Sequence, residues 1–296
     1  AEALAHFDVE QQVFSSFNRH GTPKQINDLY LDTDNSLWIG SRLDGLYHLS
    51  PDQSKFEHYQ NIKDNPDSLN NNDIRTILRV KNGDLWVGTE EGGLNIRRKG
   101  SNKFLHIERN SADGHSLTIN GVWSLFQDKS GLIWVGTAGG GINTTISFAN
   151  RMSRLSHEFI WDIEEDKQGM IWLSTPYGLD RYDPTNDSFQ HFMEFESNNK
   201  RPFGNQIYSF TIDDQGYIWI GNTRGQLAVF SPESKEIEVI QRYDFPRDYI
   251  SYNRVRMIEK DHFGNIWVGT DDGLLRVDQK SRKIVQDYRF VDQGQL

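Results

Sequence analysis

Six positions recur eleven residues ahead of a tryptophan, and they hold Asn27, Arg75, Trp123, Trp161, Tyr208 and Arg256. Aromatic planes beside guanidinium groups suit a sugar ring that carries a carboxylate or sulfate. The ring stacks on indole or phenol, and the arginine fork takes the anion through two parallel hydrogen bonds. A second variable set follows the same tryptophans by four or five residues, at Arg42, Glu90, Tyr177, Arg224, Asp271 and Asp272. From the two sets the candidate ligand contacts are Arg42, Arg75, Trp123, Trp161, Tyr177, Tyr208, Arg224 and Arg256. The competing reading is structural: a tryptophan at such a place also wedges between strands, and surface charges are usually just solvated.

Other stretches suggest chemistry and then lose it. Residues 131–141, "GLIWVGTAGGG", run from an apolar segment into glycines, as phosphate loops do. The lysine of such a loop is absent, since Ile142 fills its place, and the "INTTISF" that follows has no helical apolar period. Asp128, Asp166, Asp213 and Asp261 recur in Asp-x-x-Gly stretches, and "DTDNS" at 32–36 alternates oxygens. A calcium loop needs more oxygens and a closing carboxylate, so tight turns are the simpler reading. His58, His106 and His191 share one repeat position and belong to the repeat rather than to a metal triad. No catalytic constellation stands out, and no metal or cofactor is expected.

The elements that position these residues follow from the repeat itself. Trp38, Trp86, Trp134, Trp172, Trp219 and Trp267 stand at intervals of 48, 48, 38, 47 and 48. Twelve and nine residues before each comes an apolar pair, from Ile26 and Leu29 to Val255 and Ile258, and then a polar turn such as "DKSG" or "DDQG". Each unit therefore reads as four short strands: A with the apolar pair, B with the tryptophan, C after the glycines, and D after another turn. Such units are β-propeller blades, so the fold class is all-β. A single propeller domain is expected over 1–296, with blades over 26–60, 74–109, 121–155, 158–195, 206–245 and 253–290. The tryptophans are core: each burying about 200 Å² contributes roughly 5 kcal/mol at most.

Residues 5–17, "AHFDVEQQVFSSF", align on 47–59, "YHLSPDQSKFEHY", so 1–20 reads as a C–D half blade. At the other end "RKIVQDYRFVDQGQL" completes a strand D. Six blades and a half point to part of a seven-bladed ring, cut from a longer protein, whose open strand edges favour a second chain. The 296 residues carry 32 Lys and Arg against 42 Asp and Glu, a net charge of −10, which argues against nucleic acid or an anionic membrane as partner. There is no cysteine, hence no disulfide, thiolate metal site or cysteine nucleophile. No apolar run is long enough to span a bilayer, so any membrane attachment lies in segments outside this chain.

The pattern D-x-x-G-x-[LI]-W-[IV]-G-T-x-x-G-G-L, with a D-P turn and F-x-H-Y, resembles the two-component regulator propeller repeat. The linkers "HYQNIKDNPDSLNNNDI" and "HIERNSADGHSLTINGV" resemble its N-D-P-x-S-L connection. The resemblance covers nearly the whole chain. It implies the periplasmic sensor region of a bacterial transmembrane receptor, non-enzymatic and homodimeric in the full receptor. Its output would be a histidine kinase or a diguanylate cyclase, and its ligand a small molecule or glycan held on the loop-rich face. Two other classes stay open: a propeller enzyme of polysaccharide lyase or glycosidase type, and a structural propeller for protein–protein contact or dimerisation. The fourth repeat departs from the pattern, being ten residues early and carrying Ser174 where the others have glycine.

Overall fold

Each apolar pair and the tryptophan after it fold into adjacent antiparallel strands. A computed structural model describes residues 4–8, 13–16, 25–113, 116–145, 154–192, 203–240, 254–271 and 273–289, with residues 11 and 23. The chain divides into two units, Ala1–Asn150 and Arg151–Leu296.

The first unit opens with β1 (Ala5–Asp8) and β2 (Val13–Ser16), which pair with Phe7 opposite Phe14. Leu4 beside them joins the cluster of Ile39 and Tyr47. A four-stranded sheet follows in simple order: β3 (Ile26–Leu31), β4 (Leu37–Ser41), β5 (Leu46–Leu49) and β6 (Phe56–Tyr59). The next repeats it as β7 (Ile74–Arg79), β8 (Leu85–Thr89), β9 (Leu94–Arg97) and β10 (Phe104–Ile107). The third contains β11 (Val122–Gln127), β12 (Ile133–Thr137) and β13 (Ile142–Thr144). Residues 146–153, where the shortened C–D region was expected, lie outside the described residues.

The second unit holds three four-stranded sheets of the same order. They are β14 (Asp162–Glu165), β15 (Ile171–Thr175), β16 (Gly178–Asp183) and β17 (Ser188–Phe192); β18 (Ile207–Ile212), β19 (Ile218–Asn222), β20 (Leu227–Phe230) and β21 (Ile237–Ile240); and β22 (Val255–Lys260), β23 (Asn265–Thr270), β24 (Gly273–Asp278) and β25 (Lys283–Arg289). The glycine run at 136–141 is thus the end of β12 and its hairpin to β13, with Gly139 at φ 101°.

One interaction ties turn to core in five of the six repeats. The indole Nε1 of Trp38, Trp134, Trp172, Trp219 and Trp267 donates to the carboxylate six residues earlier, at 2.8–3.3 Å. In Asp166, Asp213 and Asp261 the other oxygen accepts two turn N–H groups, those of Gln168 and Met170, Gln215 and Tyr217, and Phe263 and Asn265. Both carboxylate oxygens are thus engaged in the turn and its tryptophan. The exception is the second repeat, where Val80 occupies the aspartate position and the buried Trp86 Nε1 has no acceptor.

Neighbouring sheets within a unit meet at the glycine two residues after Trp38, Trp86 and Trp219. A methyl group on Gly88 would lie 2.6 Å from Val122 Cγ1, and one on Gly40 2.7 Å from Ile74 Cγ2, so strand A of the following sheet needs that bare backbone. Ser174 replaces this glycine in the fourth repeat; it is fully buried and its hydroxyl is unpartnered. Polar side chains on strand A then stitch sheet to sheet: Asp28 accepts the Ile77 N–H at 2.7 Å, Asp162 that of Phe210 at 3.2 Å, and Ser209 Oγ that of Ile258 at 3.1 Å. In the linkers Leu69 and Leu117 are buried plugs, and the hydroxyls of Ser68 and Ser116 accept the N–H groups of Ile62 and Asn110.

The indole–carboxylate bond sets a comparison between two tryptophans of the first unit. Trp134→Phe leaves the buried Asp128 oxygen without its donor, whereas Trp86→Phe removes an N–H that already lacks an acceptor. Urea denaturation is expected to show Trp134→Phe costing about 1–3 kcal/mol more than Trp86→Phe. Equal losses would mean that the clamp carries no net weight.

Candidate functional site

A β-bulge is built into strand A of five repeats, and its extra residue is the variable one singled out by spacing. The register shifts between Ile26 and Asp28, Ile74 and Thr76, Val122 and Ser124, Ile207 and Ser209, and Val255 and Met257. The bulged residues are therefore Asn27, Arg75, Trp123, Tyr208 and Arg256. A bulge re-aims its side chain out of the pleat, which frees these positions from the alternation that fixes the rest of the strand. In the fourth repeat β14 begins at Asp162, and Trp161 just before it donates its N–H to the Ser174 carbonyl at 3.0 Å.

Backbone bonds bring the B–C loops to the same end. Arg42, Glu90, Ala138, Thr223 and Asp271 donate their N–H groups to the carbonyls of Gln25, Asp73, Gly121, Gln206 and Arg254, each two residues before the bulge. Gly45 and Gly93, at the start of strand C, donate to Asn72 and Asn120 of the following linker. The two variable sets thus share one loop-rich face in each unit.

In the first unit they form a connected line. Asn27 Nδ2 donates to Asp73 Oδ1 at 3.0 Å and to the Ile74 carbonyl at 2.8 Å. Arg75 Nε stands 2.7 Å from Glu90 Oε2 and 3.4 Å from Asp73 Oδ1. Trp123 Nε1 donates to the same Glu90 Oε2 at 2.7 Å, and the Arg75 guanidinium lies 5.4 Å from the Trp123 ring centroid. Burial raises the Asp73 carboxyl above its usual range, the nearby Arg75 and Arg42 lowering it and Glu90 raising it. Arg42 is exposed beside this line. Leu43 next to it is also exposed and takes a left-handed φ of 70°, the conformation that glycine supplies at 139.

The second unit carries a similar line. The rings of Trp161 and Tyr208 are 5.4 Å apart and inclined at 43°. Tyr208 lies beside Arg256, whose Nε donates to Asp271 Oδ1 at 2.6 Å. Tyr177 is exposed and meets the His157 ring edge-on at 4.8 Å. Arg224 is exposed at its loop tip. Asp272 lies outside the described residues.

The structure brings Arg75 to Trp123 and Trp161 to Tyr208 to Arg256. It also adds what spacing did not anticipate: each bulge arginine already has a carboxylate from its own B–C loop. Glu90 and Asp271 both stand fifteen residues after their arginines, a spacing that could have revealed the pairs. Asp73 was missed as well, because nothing in its linker sets it apart from the other polar residues.

A second missed feature lines strand A of the second unit. Glu164 Oε2 accepts the Ile212 N–H at 2.8 Å and Asp162 accepts that of Phe210, with Glu259 near enough for its charge to be felt. Desolvation by the surrounding strands, then the charge of Asp162, pushes the Glu164 carboxyl up to about 8. Desolvation likewise pushes Asp162 up to about 6 and raises Glu259. The recurrent histidines are structural, as expected: His58 Nε2 contacts the Asp44 carbonyl, His106 Nε2 the Ser68 carbonyl and His191 Nδ1 the Asp180 carboxylate. Among the described residues no group of three or more acidic or histidine side chains is placed to hold a metal ion.

Repeated four-stranded sheets with the tryptophan strand second and variable bulges on one loop-rich face define a β-propeller repeat protein. The chain belongs to the two component regulator propeller family, whose repeat matches residues 68–91, 116–139, 154–177, 202–224 and 249–272. No curated protein matches it in sequence. Among solved structures it is similar to the extracellular domain of BT3049 from B. thetaiotaomicron, described as a hybrid two component system. The identity is 21% and the TM-score 0.74, over 94% of this chain and 37% of that one. It is also similar to PorZ, a surface component of the type-IX secretion system of Porphyromonas gingivalis, at 14% identity and TM-score 0.66 over 96% of this chain and 44% of that one. Virginiamycin B lyase from Staphylococcus aureus matches at 10% identity and TM-score 0.67, over 92% of this chain and 86% of that one. At these identities the likeness is one of fold. The chain spans less than half of each of the first two. Among the described residues no helix is long and apolar enough to cross a membrane.

The acids of strand A make stability depend on pH in a defined direction. A carboxyl whose folded pKa is raised binds its proton more tightly when folded, so its contribution is best below the unfolded pKa and declines as pH rises through the folded value. With Glu164 at about 8 and Asp162 at about 6, the melting temperature is expected to fall from pH 5 to pH 8.5. Glu164→Gln keeps an acceptor for the Ile212 N–H and removes the charge. It should match the wild type at pH 5 and melt higher at pH 8.5, and an unchanged pH profile would refute the assignment.

Proposed function

We propose that this chain is the ligand-sensing propeller of an extracytoplasmic receptor, non-enzymatic, binding a small molecule or glycan on its loop-rich face. The observation that carries this reading is the strand-A bulge. It occurs in five repeats, and it presents asparagine, arginine, tryptophan, tyrosine and again arginine at the loop-rich end, while the tryptophan, turn and glycine positions around it stay nearly constant. A purely structural repeat has no need for that contrast. The family, and the fold shared with an extracellular domain of a two component system, support a sensing role and a periplasmic location.

Within this reading the β1–β2 pair is half of a further blade, since Phe7 opposite Phe14 repeats Leu49 opposite Phe56. We infer a seven-bladed ring completed by partner strands, set in a homodimeric receptor. Output would pass to a histidine kinase or diguanylate cyclase through changed docking outside this chain, and Arg42, Tyr177 and Arg224 would form the outer contacts of the ligand.

Thermal shift with a panel of metabolites and oligosaccharides tests the proposal. A ligand at about a hundred times its Kd adds about 2.7 kcal/mol of stability, so a clear upward shift is expected for at least one compound. The shift should vanish in Trp123→Ala or in Tyr208→Ala, with the ligand-free melting temperature little changed. No shift with any compound would favour a structural propeller, and release of new reducing ends or unsaturated products would replace sensing by glycosidase or lyase chemistry.

A further inference from the structure

The charge arrangement on the loop-rich face narrows the ligand class. We infer that the first unit's line takes an uncharged polyhydroxylated ring, a neutral saccharide, rather than one bearing carboxylate or sulfate; this rests on the reading of that face as a ligand site.

Spacing alone pointed the other way, because arginines beside aromatic residues suit an acidic sugar. In the folded chain Arg75 is held at 2.7 Å by Glu90 and at 3.4 Å by Asp73. An anionic ligand approaching Arg75 would meet Glu90 and Asp73, which already flank its Nε. The same Glu90 Oε2 accepts the Trp123 indole N–H at 2.7 Å, which holds this carboxylate beside Arg75. Asp73 would remain beside the incoming anion, and like charges at such range repel.

A cationic ligand fares no better. The Arg75 guanidinium already lies 5.4 Å from the Trp123 centroid, so a second cation on this indole would meet a like charge. Arg42 adds a second positive charge close enough to act on Asp73. Asp73 and Glu90 against Arg42 and Arg75 leave the line with no net charge.

What remains suits hydroxyl groups. Glu90 keeps side-chain exposure and free lone pairs for two donors, Asn27 is exposed and brings an amide, and Trp123 is half-buried with an apolar surface. Carboxylate and amide acceptors beside an indole match a ring with polar edges and apolar C–H faces. The second unit repeats the pairing, with Arg256 neutralised by Asp271 at 2.6 Å beside Tyr208 and Trp161. Two independent lines thus neutralise their bulge arginine in the same way.

Isothermal titration of the full chain with neutral xylo-, manno-, arabino- and malto-oligosaccharides, and with uronate-bearing and sulfated ones, tests the inference. Binding is expected among the neutral set, changing less than about twofold between 50 and 500 mM salt because screening acts little on an uncharged ligand. Glu90→Gln uncaps Arg75. It should weaken the neutral ligand about tenfold and bring measurable affinity for uronate-bearing chains, with the circular dichroism spectrum and melting temperature retained as proof of folding. Wild-type preference for acidic saccharides, with affinity falling steeply in salt, would overturn the inference while leaving the ligand-binding reading intact. No binding of either set would overturn the neutral-saccharide inference, and together with a silent thermal-shift panel it would overturn the ligand-binding reading too.

Discussion

The bond from an indole N–H to the aspartate six residues earlier is the constraint on which the other features depend. A buried tryptophan fills much of the space between neighbouring sheets, but burying it also buries a donor that needs an acceptor. The turn aspartate supplies the acceptor with one oxygen and closes the A–B hairpin with the other. Core and turn are thereby specified together, and a repeat that keeps both residues has little freedom left in strands A and B. The second repeat marks the limit of the rule: Val80 leaves Trp86 unsatisfied, and that sheet is held by its glycine contact to Val122 and by its linker plug Leu69.

Variation is therefore expelled to places that the clamp does not reach. Strand A cannot vary at its apolar pair, which packs against the preceding sheet, as Ile74 and Ile77 do in the cluster containing Trp38. A residue inserted by a bulge belongs to neither face of the sheet, so it can change from Asn27 to Arg75 to Trp123 without disturbing the core. The same reasoning covers the first loop residue after strand B, which is tied by its backbone N–H and leaves its side chain free to be Arg42, Glu90 or Asp271. Site and scaffold are separable because backbone bonds hold what side chains do not.

Most of the architecture was legible because it is periodic. The tryptophan interval, the apolar pair and the Asp-x-x-Gly turn repeat often enough to fix strand order, and the eleven-residue offset located the bulged residues without any knowledge of the bulge. Partners were harder to see. Pairing of Arg75 with Glu90 depends on a hairpin bringing residues fifteen apart together, and an arginine read alone looks like an anion receptor. Ser174 was visible as a departure, but its unpartnered, fully buried hydroxyl follows only from the close approach of neighbouring strands. The acids Asp162 and Glu164 were invisible as a pair because alternation puts both on one face of a strand whose surroundings the sequence does not name.

Those acids show that strand A serves as a seam as well as a wall. Its N–H groups at Ile77, Phe210, Ile212 and Ile258 lack a strand partner on the side facing the preceding sheet, and unpaired backbone donors at a crowded edge are costly. Each is met by a side chain from the sheet before: Asp28, Asp162, Glu164 and Ser209. A serine meets this need without charge, whereas adjacent carboxylates meet it while repelling one another. Ser209, which holds Ile258, also donates its hydroxyl to Asp162 at 3.2 Å, and where Asp162 and Glu164 hold Phe210 and Ile212 the seam tightens as they are neutralised. The second unit thus places its proton-sensitive seam between β14 and β18, and β18 is the strand whose start carries the bulged Tyr208.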